Sequence, residues 1–129
     1  MIRPALALLA AVSACLPLAA HAQDQTVNIY FEPLQGGEFL PLNKAIQTAL
    51  SQPPMQLVAR PFAGVLVLTV PDKVEIDHKR VSGTQYSFIV AFTRDGDSLG
   101  QSQQSCGSDK LSDCTDQLVQ DVKSVVTSH

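Results

Sequence analysis

Residues Gln85 to Arg94 read QYSFIVAFTR, and their two-residue alternation constrains the fold more than any other stretch. Tyr86, Phe88, Val90 and Phe92 fall on one side of an extended backbone and Ile89 and Ala91 on the other, because successive strand side chains point to opposite faces. Such a strand has one strongly apolar face to bury, so the chain must be organised around a sheet. Asp95-Gly96-Asp97 comes next, and an Asp-Gly pair tolerates the positive φ angles that a tight hairpin demands. The returning segment, SLGQSQQS, is polar and reads as an edge strand.

Upstream, Thr26 to Glu32 (TVNIYFE) alternates Val27, Ile29 and Phe31 with polar neighbours, a strand that Pro33 ends. After the loop PLQGGEF, Leu42, Ala45, Ile46, Ala49 and Leu50 recur at one-sided helical spacing between Pro41 and Gln52. Pro41 suits a first turn, where its missing N–H has no partner to lose, and Pro53-Pro54 stop the helix. MQLVARPF is a short strand cut off by Pro61. VLVLTV, from Val65 to Val70, is a β-branched run of central-strand type, and VEIDHKR after Pro71-Asp72-Lys73 lies nearer an exposed edge. Ser82-Gly83 makes a turn. From about Asp109 to Thr127, Leu111, Cys114, Leu118, Val122, Val125 and Val126 share one helical face, with Ser108 or Asp109 available as N-cap. Short turns between consecutive strands favour antiparallel pairing. The expected fold is α+β: a two-layer sandwich with a mostly antiparallel sheet of four to five strands and two amphipathic helices on one face.

The amino terminus, MIRPALALLAAVSACLPLAAHAQ, combines Arg3, an apolar run from Ala5 to Val12 and the small-x-small ending Ala20-His21-Ala22. That is the layout of a secretory signal cleaved after Ala22, and Pro4, Ser13 and Pro17 break it below the length of a membrane span. Residues 1–22 are therefore expected to be removed, leaving residues 23–129 as one globular domain in the periplasm, with no transmembrane span in the mature form. Val12-Ser13-Ala14-Cys15 also fits a lipoprotein box, which would instead leave Cys15 lipidated and the protein membrane-anchored. The nine Lys and Arg less Arg3, against twelve Asp and Glu, give the mature chain a charge of about −4. Nucleic acid is not an expected partner, since its binding rests on a basic footprint and the largest cationic cluster is Lys79-Arg80.

Candidate chemistry is sparse. Glu75, Asp77 and His78 are metal-competent types, but in a strand the two carboxylates share one face while His78 points to the other. Asp95 and Asp97 resemble the start of a calcium loop, yet the twelfth residue counted from Asp95 is Cys106 where that loop needs Glu. Nucleophilic catalysis needs a base beside Ser or Cys, and His78 is the one histidine placed to serve; no serine lies in a Gly-x-Ser-x-Gly elbow. No catalytic residue, metal or cofactor is expected. Cys106 and Cys114 are too far apart for a redox Cys-x-x-Cys pair, and zinc would need two further ligands. In an oxidising compartment such a pair defaults to a disulfide.

Taken in order, VNIYFEPL, LNKAIQTALSQ, MQLVARPF, VLVLTVPDKVEI and the hairpin YSFIVAFTRDGDSLGQS form a pattern that resembles a group of bacterial envelope domains. These are the curli-secretion lipoprotein family, the outer-membrane lipoprotein activators of penicillin-binding proteins, and the amino-terminal domain of the Tol translocation protein B. The resemblance implies a noncatalytic binding or accessory role with another envelope protein as partner. Two places suit such a contact. The edge strand, with Ser98, Gln101 and Gln103, either accepts a partner strand or is an ordinary polar edge. Phe39 and Leu40, beside the flexible Gly36-Gly37, either form an exposed patch or tuck under the first helix. A carrier for a small ligand held between helices and sheet is the alternative, and a hydrolase around His78 a further one.

Overall fold

The computed structural model describes residues 25–80 and 83–129. Along the chain come β1 (Val27–Phe31), a 3-10 turn (Gly37–Phe39), α1 (Leu40–Leu50), β2 (Met55–Leu57), β3 (Leu66–Thr69), β4 (Glu75–Arg80), β5 (Gly83–Arg94), β6 (Asp97–Gly107) and α2 (Ser112–Ser128). The signal segment and Cys15 lie outside the described residues, as does Ser82 of the expected Ser82-Gly83 turn; Gly83 opens β5.

β5 is the longest strand and pairs antiparallel with β6 from Gln85 to Arg94. Their connection is the pair Asp95-Gly96, with φ of 52° and 86°, the positive values that match a hairpin to the right-handed twist of its strands. Near that turn Phe92 faces Gly100 and Thr93 faces Ser98, so Leu99 is an extra residue that bulges β6. On its other flank β5 meets β3 at Ala91–Thr93 and β4 at Gln85–Ser87, both antiparallel. Because β6 takes the first flank along this length, β3 and β4 are two halves of one line, interrupted at residues 70–74. Pro71 accounts for the interruption, since it brings no N–H to a ladder.

The two pairings of β1, with β2 and β3, are parallel. α1 carries the chain back across the sheet so that β2 starts from the same end as β1, and residues 58–65 carry it back again before β3. Antiparallel pairing therefore prevails around β5 and fails where a helix replaces a turn. The sheet has six strands. Ile29, Phe31, Leu66, Leu68, Phe88, Val90 and Phe92 bury one face, and against them pack Leu42, Ile46 and Leu50 of α1 and Cys114, Leu118 and Val122 of α2. Each such side chain contributes about 1.5–3 kcal/mol on burial. On the opposite face Tyr30, Val67, Ser87, Ile89 and Ala91 are half-buried, which is the signature of a sheet covered by helices on one side. The molecule is the α+β sandwich its sequence pattern predicts.

α2 departs from expectation at its start. Leu111 occupies the N-cap position and no side chain caps the helix, so neither Ser108 nor Asp109 takes that role. Ser108 is engaged elsewhere: its Oγ accepts the Thr84 N–H at 3.0 Å and its own N–H donates to the Thr84 carbonyl at 2.7 Å. A turn closed by the Lys110 N–H on the Gly107 carbonyl, 3.0 Å, leads into the helix instead.

Asn43 is a buried polar residue in the first turns of α1, and its amide explains why it is there. Its Oδ1 accepts the Leu34 N–H at 2.9 Å while its Nδ2 donates to the Leu34 carbonyl at 2.8 Å. Both backbone groups of the residue after Pro33 are thereby satisfied, which fixes how the chain leaves β1. Asn43→Ala would strand those two groups at a partly buried position, so it should lower the free energy of unfolding by about 2 kcal/mol, read as a fall in urea midpoint at unchanged m-value.

Candidate functional site

Cys106, opposite Tyr86, lies one residue before the end of β6 and Cys114 lies in the first turn of α2; they form a disulfide with Cα atoms 5.5 Å apart. Both are almost wholly buried, at 2% and 1% exposure. The loop between them is knitted to the start of β5 through Ser108 and Thr84. That approach is so close that a Cβ on Gly83, itself at φ 131°, would lie 2.5 Å from Ser108 Oγ. Thiol–disulfide exchange requires an attacking thiolate to reach a sulfur, and burial here denies that approach. The pair works as a clamp that fixes where α2 leaves the sheet. Native, unreduced protein should therefore resist alkylation at both positions, and the Cys106→Ser/Cys114→Ser double variant should lose about 2.5 kcal/mol of stability by the loop-closure estimate.

β6 carries an unexpected inner face. Ser102 and Gln104 are buried at 2% exposure each, turned under α2 rather than into solvent. Ser102 Oγ donates to Asp121 Oδ2, Gln104 Nε2 donates to Ser102 Oγ, and Gln117 Nε2 donates to Asp121 Oδ1 at 2.9 Å. Gln104 Oε1 has no hydrogen-bond partner. The outer face holds the residues singled out as contacts: Ser98, Gln101 and Gln103 are exposed, opposite Thr93, Ala91 and Ile89 on β5.

Phe39 and Leu40 take opposite fates. Phe39 is buried, its ring 6.2 Å from that of Tyr86 at an angle of 56°, and Tyr86 Oη–H reaches the Glu38 carbonyl at 3.4 Å. Neither alternative, an exposed patch or a tuck under the helix, holds for both residues: the 3-10 turn rotates Phe39 inward and leaves Leu40 66% exposed at the start of α1. Phe62 is a second large apolar side chain in solvent.

Glu75 and Asp77 share the helix-free face of β4, opposite Ser87 and Gln85. His78 is exposed, with Nδ1 3.4 Å from Thr84 Oγ1. No three His, Cys, Asp or Glu among the described residues are grouped to hold a metal ion. Asp95 serves the hairpin: its Oδ1 accepts the Gly64 N–H at 2.9 Å and ties the turn to the loop before β3. Among the described residues no helix is long and apolar enough to cross a membrane.

An α+β sandwich with a buried clamp and, among the described residues, one sheet face that no helix covers is the class of molecule this geometry defines. No family model and no curated protein matches the chain. Among solved structures it is similar to a minor lipoprotein from Acinetobacter baumannii, at 12% identity over 77% of this chain and 79% of that one, with a TM-score of 0.39. That neighbour is, by its name, a bacterial lipoprotein.

Proposed function

We propose that the chain is an exported, noncatalytic module of the bacterial cell envelope that binds another protein, with residues 1–22 as its secretion signal and the periplasm as its place of work. The observation that carries this reading is the uncovered sheet. Its helix-free face mixes half-buried Tyr30, Val67, Ile89 and Ala91 with exposed Gln101 and Gln103, and its outer strands leave backbone groups without a neighbouring strand among the described residues. An apolar centre within a polar rim is the anatomy of non-obligate protein interfaces. The clamp at Cys106 and Cys114 supports the oxidising compartment, where disulfides persist.

A carrier would hold its ligand between helices and sheet, and that layer is filled by Leu42, Ile46, Leu50, Leu118 and Val122 packed on Ile29, Leu68, Val90 and Phe92. The reading is tested by affinity capture of the tagged mature protein from envelope extract, with native mass spectrometry of what elutes. A stoichiometric protein partner is the expected result; a copurifying small molecule in its place would overturn it. Intact mass of the purified protein separates plain cleavage after Ala22 from acylation at Cys15.

A further inference from the structure

The line formed by β3 and β4 has a neighbour along only half its length. β1 runs parallel to β3, its last contact being the Glu32 N–H on the Leu68 carbonyl at 3.0 Å, and Pro33 then turns the chain away. β4 continues the line, paired on one flank with β5; no strand among the described residues lines its other flank. Strand backbone groups alternate in direction, so every second residue of β4 aims its N–H and C=O into that open flank. In the same position, a groove of about 340 Å³ runs between the loop after β1 and β4. Leu34, Phe39, Val74 and Ile76 give it an apolar floor, held in place by the Asn43 amide on Leu34 and by the Phe39–Tyr86 contact. Among the described side chains, Glu38 and Asp72 stand on its rim beside the cation Lys73, and exposed Glu75 lies one residue from Val74 and Ile76 on the other face.

We infer that the open flank of β4 is where the partner docks, by adding an extended segment of its own as a strand beside Glu75–His78. The inference rests on the protein-binding reading above and names its site and the chemistry of its occupant. Backbone pairing supplies affinity, and alternate side chains of the added strand supply selectivity. One apolar side chain enters the groove over Val74 and Ile76, while a neighbouring basic residue meets Asp72 and Glu75. β6 is the less suitable edge. Its bulge at Leu99 twists it near the hairpin, a device that blunts edges, and the hollow that Gln103 lines is shared with Ser87, Ile89 and Glu75, across the helix-free face toward β4 rather than along the open edge of β6.

The experiment is amide hydrogen exchange on the intact mature protein with a blocked, valine-rich strand peptide carrying two lysines, compared with the same peptide carrying two glutamates. At ten times its dissociation constant the lysine peptide should slow exchange about tenfold at the amides within Glu75–His78 that face the open flank. Glu75→Lys, an exposed substitution, should weaken that peptide about fivefold and leave the urea midpoint in place. Protection at Gln101–Ser105 instead, equal binding of the glutamate peptide, or a concentration-dependent dimer protecting the same amides without peptide would each overturn the inference. If a captured partner binds the Glu75→Lys variant undiminished, the site is wrong while the protein-binding function stands. If no partner is captured at all, the function itself has failed.

Discussion

β5 spends both of its flanks on other strands, and the rest of the molecule takes its position from those ladders. β6 pairs with it from end to end on one side, while β3 and β4 divide the other. Its inward side chains, Tyr86, Phe88, Val90 and Phe92, then form the row on which the helical layer rests. The alternation of that one segment fixes register, because a slip of a single residue would turn four large apolar groups into solvent. Among the described strands β1 joins through β3, and β2 through β1, so the parallel half of the sheet depends on the antiparallel half for its place.

Much of this was legible in advance because it is written in local periodicity. The strand at Val27–Phe31, the helix ended by Pro53-Pro54, the central run at Leu66–Thr69 and the Asp95-Gly96 turn each follow from spacing within a few residues. What sequence did not disclose lies in contacts between distant segments. The polar run SLGQSQQS reads as a solvated edge, yet Ser102 and Gln104 face inward, since Asp121 and Gln117 arrive from α2 to meet them. Asn43 gave a fainter signal. An asparagine inside a helix competes for local backbone groups and lowers helix propensity, so its presence beside Leu42 asks for a partner that only the fold supplies. The missing N-cap of α2 has the same origin: Ser108 was claimed by Thr84, across the sheet.

The inner face of β6 also changes what the disulfide is for. A helix laid on apolar residues is held by burial alone, but α2 lies partly on polar ones, where burial contributes less and an unpartnered Gln104 Oε1 subtracts. The covalent link between Cys106 and Cys114 stands at the same place. Clamp and polar seam are thus complementary: the seam selects one seating of the helix, and the clamp compensates for the apolar contact given up to achieve it.

The split between the two halves of the sheet carries over to the order in which the chain can assemble. β5 and β6 meet across Asp95-Gly96 alone, and β4 precedes β5 through residues 81–82, so the carboxy-terminal half closes by short loops. β1 reaches β3 only across residues 32–65, and a closure of that length costs more chain entropy before any contact repays it. The sheet is thus completed from its carboxy-terminal side, and β1, the earliest of the described strands to be made, waits longest for its place in it.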